Sequence, residues 1–320
     1  MNFNLLLENL SNPALLFFVL GIIAVYIKSD LEIPANSSKF ISIYLLFSIG
    51  FKGGAALSHE VFNFEILWSI LLGILISLII PIYTFYILKK RLNVYDSGAI
   101  AASYGSVSAV TFVTAISYLE SQHLGFHGYM VAIMALMESP AIIIGLVLIS
   151  SYQQEDSGKI KKSNAIKHSL TNGSVLLILG SLAIGFLASA KQAEGIKPFT
   201  NDLFKGFLSI FLLDMGISSG KKLKSFFTFG WFPALFAIII PLINGCIFAW
   251  ASSLVTQDPS NRFIFAILAA SASYIAVPAA MKLNVPQANP GLFLPMTLAI
   301  TFPVNITLGM PLYFYVVQHT

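Results

Sequence analysis

Apolar stretches recur along this chain at lengths that suit a lipid bilayer. Ten of them, at 12–28, 38–57, 65–88, 96–119, 126–152, 171–190, 201–219, 228–255, 261–282 and 289–317, run from 17 to 29 residues with few charges. A hydrocarbon core about 30 Å thick takes about 20 helical residues to cross, more if the helix is tilted or broken. Inside lipid the backbone must satisfy its own polar groups, and a helix does so. The pattern predicts an all-α membrane protein of ten transmembrane helices. Only 10% of the residues are charged, against about 25% in soluble domains. A single cysteine, Cys246, excludes an internal disulfide and a cysteine-based zinc site. The five histidines fall in loops or at span ends, none in a zinc- or haem-type pair, so no organic cofactor is expected. The basic balance comes from juxtamembrane lysines and does not point to nucleic acid. The N-terminus lacks a basic segment and a cleavage site, so the first span is expected to be retained.

The longest polar connection, around 153–170, divides the chain into spans 1–5 (residues 1–152) and spans 6–10 (residues 171–320). The halves share landmarks in the same order. Leu20-Gly21 matches Leu179-Gly180, Ser48-Ile49-Gly50 matches Asp214-Met215-Gly216, Ser106 to Val110 matches Ser273 to Val277, and Ser139-Pro140 matches Phe302-Pro303. The offsets are 159, 166, 167 and 163 residues, so only small insertions separate the halves. Five spans per half force the second half to insert upside down, which predicts two inverted five-helix repeats. Lysines and arginines gather on one side, at Lys89, Lys90, Arg91, Lys159, Lys161, Lys162, Lys221 and Lys222 among others. That side is predicted to be cytoplasmic, with both termini outside.

Spans 4 and 9 are interrupted. Span 4 contains Gly105-Ser106-Val107-Ser108, where glycine is entropically costly in a helix and serine hydroxyls compete for the backbone. Span 9 contains Ser271-Ala272-Ser273-Tyr274 followed by Pro278, which cannot donate to a helix ladder. Paired interruptions in corresponding positions point to a transporter's binding site. Half-helix N-termini carry free N–H groups and positive dipole ends, which favour an anion without any lysine. The expected anion contacts are Gly105, Ser106, Val107 and Ser108 facing Ala272, Ser273 and Tyr274, with the Ser271 hydroxyl as a further donor. Two serine- and glycine-rich helices that merely pack tightly would show the same composition.

Glu138 lies mid-span among apolar residues. A carboxylate at the bilayer centre costs at least about 3 kcal/mol on insertion scales, so it should face a cavity or a partner. A sodium ion or a proton would satisfy it; a structural acid that positions Pro140 is the other reading. Pro140 and Pro303 each free a carbonyl one turn earlier, and Thr111, Thr301 and Asn305 offer further oxygens to a hard cation. Simple kinks would account for the prolines as well. Asp214 is the other acid within a span, expected near Lys221 or Lys222. Gly50-x-x-x-Gly54 and Gly216-x-x-x-Gly220 read as close helix packing, at a subunit contact if not within the chain. No Ser/His, Asp/Asp or metal set lies within the spans, so an intramembrane enzyme has no catalytic dyad to work with.

At Gly105 to Thr111, Met137 to Ala141, Ser273 to Met281, Gln287 to Pro290 and Ile300 to Thr307 the chain resembles the SbtA-type sodium-dependent bicarbonate transporter family, over nearly its whole length. The family more usually has Asp where Glu138 stands. The resemblance implies a gate of spans 1, 2, 6 and 7 and a core of spans 3–5 and 8–10, with bicarbonate held between broken, crossing helices 4 and 9. It implies sodium-coupled symport by alternating access in the cytoplasmic (inner) membrane, a homotrimer in membrane lipid, and a PII-like cytoplasmic regulator. A sodium- or proton-coupled symporter of another small anion is the alternative.

Overall fold

Every apolar stretch is helical in the computed structural model, which describes residues 13–60, 63–152, 173–226 and 229–320. No strand occurs among the described residues. The first-half helices are α1 (Pro13–Tyr26), α2 (Ala35–Leu57), α3 (Phe64–Leu88), α4 (Val94–Gly105), α5 (Ala109–Ser121) and α6 (Tyr129–Tyr152). The second-half helices are α7 (Gly173–Leu187), α8 (Ala190–Lys197), α9 (Phe204–Phe226), α10 (Trp231–Ala251), α11 (Pro259–Ala270), α12 (Ala276–Asn284) and α13 (Pro290–His319). The central linker at 153–170 lies outside the described residues, as does the chain before residue 13. Seven described helical stretches are long and apolar enough to cross a membrane, and α1 and α7 contain shorter apolar helices. The chain is a multi-pass helical membrane protein.

Local chemistry sets the helix starts. Asn63, Asn93, Ser108, Asp258 and Asn289 each accept a backbone N–H of the first turn of the helix that follows. Pro259 and Pro290 fill first-turn positions, where a missing N–H costs no intrahelical bond. The connection between spans 6 and 7 holds an element the apolar pattern does not announce, α8. Ser189 and Gln192 form a reciprocal capping box that starts it, and it buries no residue.

The helices pack in two groups. In one, α1 lies along α9 and α2 lies along α7. In the other, α3 packs on α4 and α6, and α4 on α6; likewise α10 packs on α11 and α13, and α11 on α13. The groups meet where α2 and α7 touch α6 and where α9 touches α13. A polar contact between them joins the Ser219 hydroxyl to the Leu298 carbonyl at 3.0 Å.

Backbones in the first group approach so closely that only glycine fits. A Cβ on Gly216 would stand 2.0 Å from the Phe18 oxygen, and one on Gly54 would stand 1.9 Å from the Leu182 oxygen. The small-xxx-small pairs therefore pack closely against helices of this same chain. Gly216 meets Phe18 and Gly21 as Gly50 meets Ile178 and Ser181. Gly180 faces open space. Asp214 in α9 accepts a hydrogen bond from the Ser38 hydroxyl of α2, a partner the sequence did not indicate.

Candidate functional site

Both interrupted helices break at their serines. α4 stops at Gly105, Ser106 is extended (φ −86°, ψ 173°), and Ser108 caps α5 by accepting the Thr111 N–H at 3.2 Å. α11 stops at Ala270, Ser271 is extended (φ −76°, ψ 164°), and α12 begins at Ala276. Pro278 falls in the first turn of α12, where the N–H it lacks would have had no intrahelical acceptor. The breaks are tied to each other. The Ser273 N–H donates to the Ser103 carbonyl at 2.8 Å, and the Ser108 N–H donates to the Ser271 hydroxyl oxygen at 3.1 Å. Ser271 in turn donates to the Leu268 carbonyl at 3.0 Å. Gly105 lets the end of α4 lie close on α3, since a Cβ there would fall 2.1 Å from the ring of Pro81.

The two breaks open on one cavity of about 40 Å³. A single water needs roughly 10–15 Å³ on this measure, so a small polyatomic ion has room. One wall is Val107, Ser108, Ser273 and Tyr274 with the first turns of α5 and α12; Glu138 of α6 joins it. The opposite wall is Ser42, Leu45 and Leu46 of α2 and Ile178 of α7. The cavity thus lies between the two helix groups. Two helix N-termini face it, and their orphan N–H groups supply positive potential with no lysine or arginine on its walls.

The serine hydroxyls have fixed polarity. Ser108 Oγ accepts the Thr111 N–H, and Ser273 Oγ accepts the Val277 N–H at 3.4 Å. Each hydroxyl has one lone pair engaged and donates to no carbonyl among the described residues, so its proton is available to a guest. The Tyr274 hydroxyl sits beside Ser108 without a hydrogen bond of good geometry to it. Glu138 is 8% exposed and has no hydrogen-bond or ion-pair partner among the described residues. Its carboxyl group and the two donor serines therefore share one small space.

Other residues named from sequence lie elsewhere. Gly105, Ser106 and Ala272 belong to the breaks but not to the cavity wall, and the buried Ser106 hydroxyl has no partner. Thr111 lies in the first turn of α5, buried, and off the wall. Thr301 and Asn305 lie in α13, which alternates α turns with π turns at Met296–Thr301 and Asn305–Gly309, on either side of Pro303. Pro241 of α10 has no N–H, so the Ala237 carbonyl one turn earlier lacks its helical partner. Thr301 donates to that carbonyl at 2.7 Å and bonds the Tyr104 hydroxyl at 2.7 Å. Asn305 donates to the Ala270 carbonyl at 2.7 Å and accepts from the Tyr313 hydroxyl at 2.8 Å. Both hold the C-terminal ends of the half-helices α4 and α11. Sequence reasoning missed the wall from α2 and α7. Ser42 sits in Phe40-Ile41-Ser42-Ile43-Tyr44, an ordinary apolar run with no break, proline or acid to mark it.

Among the described residues, no group of three or more His, Cys, Asp or Glu side chains is placed to hold a metal ion. No curated protein matches the chain. One family model does, over residues 13–318: that of the Na+-dependent bicarbonate transporter superfamily.

Proposed function

The chain belongs to the Na+-dependent bicarbonate transporter superfamily, with an SbtA-type assignment, and from that premise we propose that it takes up bicarbonate by sodium symport through alternating access. The observation that carries the reading is the shared cavity: two half-helix N-termini, two hydroxyls with free protons and one unpartnered carboxyl group. The N-termini and the hydroxyls of Ser108 and Ser273 receive the anion. Val107 and Tyr274 shape the space beside it, while Gly105, Ser106 and Ala272 set the path of the breaks. Glu138 receives the sodium ion; of the other oxygens expected from sequence, Thr111, Thr301 and Asn305 lie off the cavity wall, and the Thr301 and Asn305 side chains are engaged with the Ala237 and Ala270 carbonyls. An inward-moving anion works against the membrane potential at about 2.3 kcal/mol per 100 mV, and one accompanying Na+ cancels that charge. No step of this process requires a catalytic dyad.

Helix pairing supports ten spans in two inverted repeats. Under exchange of halves, α1 on α9 becomes α7 on α2, and the packing of α3, α4 and α6 becomes that of α10, α11 and α13. We assign α1, α2, α7 and α9 to the gate and α3–α6 and α10–α13 to the core. On the family resemblance we place the protein in the cytoplasmic membrane with both termini outside, as a homotrimer controlled by a PII-like partner. Mass measurement of the detergent-solubilised protein and labelling of terminal tags in intact cells check these assignments. The function itself is tested by labelled-bicarbonate uptake in a transport-deficient host. Uptake should require Na+ and stop when choline replaces it. Uptake that persists in choline and follows a proton gradient would make the proton the coupling ion.

A further inference from the structure

Resting on that reading, we infer that Ser42 of α2 reads the hydroxyl of bicarbonate and so separates it from flat oxyanions that carry no proton. Bicarbonate and nitrate are both planar, three-oxygen, singly charged ions. Helix N-termini and the free protons of Ser108 and Ser273 treat them alike, because both ions accept hydrogen bonds. They differ in one O–H donor, which needs an acceptor once the ion leaves water. The cavity serines are not equivalent in this respect. Ser108 and Ser273 accept from backbone N–H groups and turn protons to the cavity. Ser42, half-buried on the facing wall, gives its proton to the Ser38 carbonyl at 2.9 Å. Its oxygen lone pairs are left for the cavity. The rest of that wall is Leu45, Leu46 and Ile178, which accept nothing. Glu138 and the Tyr274 hydroxyl are the other acceptors on the lining; in the proposed cycle Glu138 holds the cation, and Tyr274 lies on the wall of the breaks beside Ser108. Ser42 also belongs to the opposite helix group from Ser108 and Ser273. The full shell therefore forms only when both groups enclose the anion.

The test uses the full chain reconstituted in liposomes, with a sodium gradient and labelled bicarbonate competed by nitrate. In the wild type, the nitrate inhibition constant should exceed the bicarbonate half-saturation constant on the order of 10-fold or more. Ser42→Ala should raise the bicarbonate constant on the order of 10-fold or more and leave the nitrate constant unchanged, so that the ratio collapses. Ser42→Thr, which keeps the hydroxyl, should restore it. A wild-type protein that takes nitrate as readily as bicarbonate overturns the inference, as does a Ser42→Ala protein that keeps the wild-type ratio. If Ser42→Ala does not fold, Ser42→Gly, which also removes the acceptor, takes its place in the same comparison. Loss of sodium-dependent bicarbonate uptake from the wild type itself would instead remove the transport reading on which the inference stands.

Discussion

An ionised carboxyl group buried without a partner destabilises the fold that encloses it. Glu138 is buried without a partner among the described residues and would be in that position whenever it ionises, which gives Glu138→Gln a double signature. Without sodium, the variant should be at least as heat-stable in detergent as the wild type, since an unpaired charge has been removed. With sodium, the wild type should gain stability by mass action and the variant should not. A sodium-induced rise in melting temperature that survives in Glu138→Gln would place the cation elsewhere. Thr301 should behave in the opposite way. Its hydroxyl bridges the Ala237 carbonyl and the Tyr104 hydroxyl, so Thr301→Val strands two buried polar groups at about 1–3 kcal/mol each. We expect a lowered melting temperature and an unchanged sodium half-saturation in uptake. A shifted sodium constant at unaltered stability would assign Thr301 to the ion.

Helix contact, at the next scale, rests on where side chains are missing. Gly54 lies on the α2–α7 contact and Gly216 on the α9–α1 contact, and a Cβ at either would collide with a main-chain oxygen. Backbone cannot yield as a flexible side chain can. Overpacking of this kind costs about 1–3 kcal/mol or more, and Gly54→Leu or Gly216→Leu should sharply reduce the yield of folded, monodisperse protein. Gly180 is the internal control. It lies within α7 and faces open space, so Gly180→Ala should be neutral or should stabilise by up to about 1 kcal/mol. Equal losses at all three positions would show that glycine serves flexibility here and not contact.

Across the whole molecule, the ligands of one small cavity must influence one another. In the proposed site an ionised Glu138 would repel an anion held by Ser108 and Ser273, and sodium would remove that repulsion. Sodium should therefore lower the bicarbonate dissociation constant, and bicarbonate should lower the sodium constant by the same factor. Paired calorimetric titrations measure both. Independent affinities would mean that the two ions occupy separate sites. The proposed alternating access requires the two helix groups to move. The ion pairs between them, Lys52 of α2 with Glu120 of α5 at 3.3 Å and Lys205 of α9 with Glu120 at 3.5 Å, are partly exposed. Such pairs contribute about 0–1 kcal/mol, so breaking them is no obstacle to alternating access.

The membrane class was legible in the run lengths of apolar residues, because lipid leaves a backbone few other ways to bond itself. The breaks were legible too: Gly105, Ser106, Ser108, Ser271 and Ser273 act on the backbone locally, and a local cause can be read locally. Glu138 stood out because a charge among apolar residues is anomalous wherever it packs. Tertiary structure decided the rest. Ser42 and Ile178 enter the cavity wall only because α2 and α7 pack against α6, and nothing in their own segments marks them. Thr301 and Asn305 looked like ligand oxygens beside Pro303. Their bonds depend on which carbonyls a proline in α10 and the end of α11 leave open, and those lie on other helices. The polarity of each cavity hydroxyl is also a tertiary outcome, because a serine offers its proton or its lone pairs only after its neighbours have taken the other.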